Sequence, residues 1–385
     1  MDKEFKRALA YIAKIDEIRP ISNYDRVEHA RIKGWWVIVK KGEFNVGDKT
    51  VYFEVDSKVP YTDERFAFLK SRNYKIKTQK MCKVYSQGLA LPMSLFPELN
   101  GKGIDTDVTE ILKVTYSCEE DIKRKSNQID PEEKYKAMTN RNPQIFELPC
   151  VRKIMKYKLG RKIMFLIFGR KTDKPKEFPH WIVKTDETRI ENAPFYLESS
   201  DEWIKTEKLD GTSCTYAIEK CRKNKYEFIV CSRNVRQADR NQRTYGNSNI
   251  YWELADKYNI ETVLTNFAMS NGYKRVVLQG EGVGSVQGNP YKLTENQLFV
   301  FNLVVNGTRL GTAEMAEFCN KNGLTHVPII STKYILPKTM EEMKLEADGY
   351  SEINPKVKRE GFVYRSMDGK QSFKNVSREY LLKHS

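Results

Sequence analysis

The sequence predicts an α+β protein of two domains, a small all-β barrel followed by a larger domain of strands and helices. Three observations predict it. Up to about Pro92 the chain runs in short β-type segments separated by turn residues. Between about Ile111 and Gln144 it turns charged and polar, and beyond that apolar β runs alternate with helical segments. At 385 residues the chain exceeds one ordinary core, and 40% hydrophobic content fills two. The expected boundaries are 1–110 for the barrel, 111–150 for a charged linker and 151–385 for the second domain.

Leu9 to Ile18, Ala30 to Lys40 and Thr50 to Val55 are expected strands, with Gly42 and Gly47-Asp48 supplying turns between the last two. Lys83 to Leu91 adds another, with Ser86-Gln87-Gly88 as a kink or bulge. About five short strands in such a length suit an OB-type barrel, whose exposed sheet and loops commonly bind oligonucleotides. Glu119-Glu120-Asp121 followed by Lys123-Arg124-Lys125 marks the linker or a loosely packed helix. Tyr157 to Gly169, basic and then apolar, is expected as a strand entering the second domain. There Trp203 to Lys208, Thr215 to Ile218, Val276 to Gln279, Leu298 to Val305, Gly361 to Arg365 and Ser372 to Val376 read as strands. Tyr251 to Tyr258 and Thr312 to Lys321 read as helices.

Charge narrows the partners. The 66 Lys and Arg outnumber 51 Asp and Glu, a net charge of +15, which favours a polyanion such as nucleic acid. Seven cysteines without a C-x-x-C pair indicate neither a disulfide framework nor zinc and fit a reducing, cytoplasmic setting. His29, His180, His326 and His384 have no metal-ligand spacing. The longest apolar run, Ile163 to Phe168, is too short to span a bilayer, so a soluble protein with no membrane partner is expected.

The chemistry is carried by an ordered set of residues. Lys208-Leu209-Asp210-Gly211 is followed by Arg233, Glu281, Glu360 and Lys374. A lysine attacks a nucleotide α-phosphate only as the free amine, so cationic neighbours or burial must depress its pKa. Lys374, Arg233 and a divalent metal are the expected agents. Gly211 would let a sugar approach the backbone without a side-chain clash. Asp210, Glu281 and Glu360 supply carboxylates for a hydrated metal, Lys374 and Arg233 supply cations for phosphates, and Phe299 or Phe301 supplies a face for a base. Taken singly, these acids are ordinary surface charges beside turn glycines, and the two phenylalanines are ordinary strand residues packed into a core.

As a set, these residues resemble the covalent nucleotidyltransferase superfamily of ATP-dependent DNA ligases, RNA ligases and messenger-RNA capping enzymes. Lys208 to Gly211 is similar to its first motif. Arg233, Glu281, Phe301 or its neighbour, Glu360 and Lys374 follow in family order. DNA ligases and capping enzymes carry an OB domain after the core, and little chain follows Lys374. The order here resembles the RNA ligase branch with an N-terminal OB domain and a C-terminal nucleotidyltransferase domain of antiparallel sheets with flanking helices. Trp36 to Val39, Gly47-Asp48, Tyr52 to Ser57, Ser86 to Leu89 and Lys184 to Asn192 extend the match.

The resemblance implies lysyl-AMP formation on Lys208 from ATP with Mn2+ or Mg2+. AMP then passes to an RNA 5′-phosphate, and a 3′-hydroxyl attacks and seals the strand. The implied partner is RNA with 3′-OH and 5′-phosphate ends, nicked or duplex, in RNA repair, with an end-healing kinase or phosphatase as a possible companion. The resemblance also places Arg189 near the nucleotide phosphates or the RNA end. One departure is that the family often has K-x-K in its last motif, whereas here Ser372 precedes Lys374 by two; Lys370 is a candidate substitute. A DNA ligase, a guanylyltransferase and a non-catalytic RNA-binding protein with a decayed core are the rival readings.

Overall fold

The computed structural model describes residues 8–116, 143–168, 178–221, 225–237, 240 and 249–384. The N-terminal part holds strands β1 (Ala10–Lys14), β2 (Glu17–Ile21), β3 (Tyr24–Ile32), β4 (Trp35–Lys40), β5 (Lys49–Phe53), β6 (Ser57–Lys58), β7 (Gln79–Met81), β8 (Val84–Ser86), β9 (Leu89–Pro92) and β10 (Thr115–Tyr116). They pair as β1-β5-β9, β2-β3-β4, β10-β6 and β7-β8. β1 and β5 are buried on both faces. Ile12, Val51 and Phe53 pack with Phe66 and Phe96, while the alternate residues Tyr11, Ala13 and Tyr52 pack with Trp35, Val37 and Ala90.

Three expected strands are each two. The run from Leu9 to Ile18 breaks because Ile15 N–H donates to the Asp48 carbonyl at 2.9 Å and Asp16 N–H to the Arg31 carbonyl at 2.8 Å. The chain thus changes sheets at that corner. Ala30 to Lys40 folds back at Lys33, whose φ is 54°. Lys83 to Leu91 breaks at Gln87-Gly88, where Gly88 has φ of 96° and a Cβ would stand 2.4 Å from the Tyr52 hydroxyl. Leu112 and Val114 join the barrel core, so its packing continues into the start of the charged segment. The stretches Glu119-Glu120-Asp121 and Lys123-Arg124-Lys125 lie outside the described residues.

Helices α1 (Pro143–Phe146), α2 (Pro149–Met155) and α3 (Lys158–Phe168) come next. The strand expected from Tyr157 to Gly169 is therefore a helix. Gly160 and Met164 are buried one helical turn apart, and Met164 packs on Phe146 and Val151 with Phe168 beside them.

The larger part comprises β11 (Thr188–Arg189), β12 (Glu202–Lys208), β13 (Thr212–Lys220), β14 (Tyr226–Cys231), β15 (Arg275–Val283), β16 (Gln297–Val305), β17 (Thr308–Arg309), β18 (Thr325–His326), β19 (Ile329–Ile335), β20 (Gly361–Ser366) and β21 (Ser372–Val376). Its helices are α4 (Ile250–Lys257), α5 (Ile260–Asn271), α6 (Thr312–Lys321), α7 (Met340–Ala347) and α8 (Arg378–His384). The other expected strands and helices of this part fall inside these elements, save that Tyr258 caps α4 one residue past its end. One sheet runs β11-β21-β20-β12-β19 and the other β14-β13-β15-β16-β17, with β18 added on β16. Cys214, Tyr216, Leu278, Leu298 and Val300 of the second sheet pack on α4, α5 and α6. Trp203, Phe362, Tyr364 and Phe373 of the first pack against Met343 of α7.

Candidate active site

Strand alternation sorts the functional side chains. With Trp203, Phe362, Tyr364 and Phe373 turned to the helical layer, the opposite face of that sheet carries Lys208, Gly361, Val363, Arg365, Ser372 and Lys374. On the other sheet Leu278 and Val276 face the helices, so Gln279 and Glu281 face away from them. Glu281 pairs in register with Phe299. Lys208 ends β12, and the chain turns through Leu209, Asp210 and Gly211 into β13, crossing from one sheet to the other. A Cβ on Gly211 would stand 2.4 Å from the Gly282 carbonyl oxygen, so the glycine is required by strand approach even before any ligand is considered.

Lys208 Nζ lies 2.7 Å from Glu360 Oε1, with the lysine side chain 27% exposed. Burial favours its neutral amine, but the charges of Glu360, Glu281 and Asp210 outweigh burial and raise its pKa. This corrects the expectation of a depressed pKa. The cations expected to depress it are engaged elsewhere: Lys374 Nζ is 2.7 Å from Asp186 Oδ1, and Arg233 Nη2 is 3.3 Å from Asp186 Oδ2. Burial pushes the Glu281 carboxyl up to about 8; Lys208 opposes that rise, and Glu360 and Asp210 add to it. Asp210 is fixed by tyrosines. Its N–H donates to the Tyr291 hydroxyl at 2.8 Å, and the Tyr380 hydroxyl bonds its side chain.

Arg189 reaches the barrel. In β11 it pairs in register with Lys374, while its Nη2 donates to Asp56 Oδ2 at 2.8 Å. The guanidinium is 6% exposed and lies 5.7 Å from the Trp35 ring centre. Its Nε and Nη1 are buried without a hydrogen-bond partner. The neighbouring contacts tie the two parts of the chain together. Trp35 Nε1 donates to Asn192 Oδ1 at 2.6 Å, Asn192 Nδ2 to Glu54 Oε1 at 2.6 Å, and Gly34 N–H to the Glu191 carbonyl at 2.9 Å.

Residues 9–93 match an OB-fold domain and residues 201–383 match RNA ligase. No curated protein matches the chain. Among solved structures, Naegleria gruberi RNA ligase with PPi is 31% identical, with a TM-score of 0.74 over 98% of this chain and 99% of that one. The chain belongs to the RNA ligase family. A Naegleria gruberi RNA ligase mutant with ATP and Mn is 29% identical, with a TM-score of 0.75 over 98% and 99% of the two chains. Another mutant, with AMP and Mn, is 29% identical with a TM-score of 0.73 at the same coverage. The ligase fold and its domain order are those read from the sequence.

Within this ligase the two phenylalanines are not equivalent. A register shift between Gln279 and Gly280 leaves Phe301 in a bulge of β16. Phe299 is buried, whereas Phe301 is half-buried and packs at the edge of the Leu209, Val283 and Tyr291 cluster. Lys370, the candidate for the absent lysine of the last motif, has a side chain that is 82% exposed and pairs with Asp368 at 3.4 Å. The buried cation there is Arg365, the cross-strand partner of Ser372. Its Nη1 donates to the Phe301 carbonyl at 2.7 Å, and burial lowers its pKa to about 10. Ser372 hydroxyl donates to Glu187.

Among the described residues no three His, Cys, Asp or Glu side chains converge closely enough to hold a metal. Asp210, Glu281 and Glu360, expected as ligands, are thus not gathered into a direct three-carboxylate cage. The donor chemistry still fits a hard, hydrated cation: Glu360 Oε2 is buried without a hydrogen-bond partner. Asp186, Tyr291, Tyr380 and Arg365 were not singled out by sequence reasoning. Asp186 alone had a signal, its place three residues before Arg189 in the segment resembling the family.

Proposed function

We propose that the chain is an ATP-dependent RNA ligase that seals 3′-OH to 5′-phosphate ends through a lysyl-AMP intermediate. The observation that carries this reading is Lys208 Nζ at 2.7 Å from Glu360, with Glu281 and Asp210 also acting on its charge. The similar Naegleria RNA ligase structures with ATP, AMP, PPi and Mn support the same nucleotide chemistry. In the first step the Lys208 amine, relieved of its proton, bonds the α-phosphorus of ATP while the bond to pyrophosphate breaks. Glu360 is the nearest carboxylate to that proton. Phe301 offers a ring for the adenine, while Arg189, Arg233 and Lys374 supply positive charge for the phosphates. Asp210, Glu281 and Glu360 would hold Mn2+ or Mg2+ partly through water, and the ion when bound neutralises phosphate charge.

AMP then passes from Lys208 to the RNA 5′-phosphate. The 3′-hydroxyl attacks that phosphate, expelling AMP. We assign the RNA-holding role to residues 1–110 and adenylation to 151–385, with 111–150 between them. The RNA would present a nick or a paired break, as in RNA repair after a kinase or phosphatase has prepared the ends. Free cysteines, including buried Cys214, Cys231 and Cys319, are consistent with a cytoplasmic setting.

Lys208→Ala should remain folded, as followed by circular dichroism, and form no covalent adduct with radiolabelled ATP and Mn2+. An adduct in that variant refutes the nucleophile assignment. GTP labelling, or a preference for DNA 3′-hydroxyl strands, would favour the rival ligases and guanylyltransferases. Absence of an adduct in the unaltered protein would favour the non-catalytic reading.

A further inference from the structure

Between β6 and β8 the barrel makes an excursion over residues 59–83 that its own core does not require to be aromatic or basic outside. The excursion is firmly seated. Phe66 and Leu69 of its 3-10 segment (Glu64–Arg72) are buried in the barrel core. The Asp63 side chain caps that segment by accepting from the Arg65 N–H. Val59 N–H donates to the Tyr74 carbonyl at 3.1 Å, closing the base.

On this fixed frame two large rings face water. Tyr61 is 70% exposed and Phe68 58% exposed, and Tyr61 lies 6.5 Å from the Tyr74 ring. In the same segment Lys70, Arg72, Lys77, Lys80 and Lys83 are exposed. The acids of the segment are Asp63, whose carboxylate is tied to Arg65 at 2.6 Å, and Glu64. The base of the excursion lies beside the Arg189 ion pair. Asp56, which holds Arg189, immediately precedes β6, and its N–H donates to the Ile76 carbonyl at 2.9 Å.

We infer that residues 59–83 form a binding surface for unpaired RNA flanking the ends to be joined, with bases stacking on Tyr61 and Phe68 and the lysines and arginine matching the phosphates. Every base has a ring face, so such stacking is indifferent to sequence, and a rigidly held ring loses little freedom on binding. An isolated exposed ring is ordinary on any surface. Two exposed rings on a segment with five exposed cations match a polyanion carrying flat bases better than an apolar partner. The inference rests on the RNA ligase reading above and extends it by naming where the substrate strand lies beyond the joint.

The test uses the full chain without ATP, measuring anisotropy of labelled nicked hairpin RNA with and without a single-stranded extension. The unaltered protein should bind the extended RNA more tightly. Tyr61→Ala/Phe68→Ala should weaken binding of that RNA by about tenfold or more and leave the unextended RNA nearly unaffected. Lys77→Glu/Lys80→Glu should weaken it as well and lower its salt dependence. Lysyl-AMP formation, which involves no RNA, reports on the underlying reading in the same preparations. Adduct formation with no effect of the extension, or with equal losses on both RNAs, overturns the surface assignment alone. Failure of the unaltered protein to form the adduct overturns the ligase reading.

Discussion

Glu281 carries a carboxyl whose protonation is linked to the charges of Lys208, Glu360 and Asp210. Burial pushes that carboxyl up to about 8 in the folded chain, against an ordinary value of 4.5. The folded state therefore keeps a proton that the unfolded chain sheds once the pH passes 4.5. This contribution to stability is complete below 4.5 and is lost as pH rises through about 8. Glu281→Gln should flatten the fall of the urea midpoint across that window; an unchanged slope would exclude Glu281 as its source. Lys208 shows why the site's charge was only partly legible. Its neighbours in the motif order are identifiable from sequence, but which ion each touches is decided by folding. Lys374 and Arg233 meet on Asp186, so the sign of the Lys208 shift follows Glu360 instead.

At the scale of elements, the strand edges that join barrel and core leave no spare room. A Cβ on Gly34 would stand 2.6 Å from Glu191 Cα and 2.9 Å from its carbonyl oxygen, both backbone atoms. Gly34→Ala should therefore cost about 1–3 kcal/mol of stability, as overpacking does. Gly103→Ala, where a Cβ meets nothing within 4 Å, should change the midpoint little. Strands such as β15, β16 and β20 were legible because their apolar residues alternate or run together over enough length. The α3 segment was not, since a short apolar run reads equally as strand or helix and the deciding contact, Met164 on Phe146, is tertiary. The corner at Ile15-Asp16 was hidden for the same kind of reason: its hydrogen bonds go to Asp48 and Arg31. Likewise Arg189 and Asp56 are 133 residues apart, and no local pattern joins them.

For the whole molecule, the excess of 66 Lys and Arg over 51 Asp and Glu becomes a statement about substrate binding. RNA affinity should fall linearly on a plot of log K against log salt, because each neutralised phosphate releases counterions. Lys208→Ala, measured without ATP, should follow the same slope, since the surplus is spread over the chain. A salt-independent affinity would show that the basic surplus is not what holds RNA. Among the described residues no helix is long and apolar enough to cross a membrane.

Asp186, gripping both Lys374 and Arg233, has a consequence for how a nucleotide enters. Two cations assigned above to the phosphates of ATP are thus each partnered by one carboxylate of the chain. On the proposed reading a triphosphate competes with Asp186 for them, so its admission is an exchange of one anion for another.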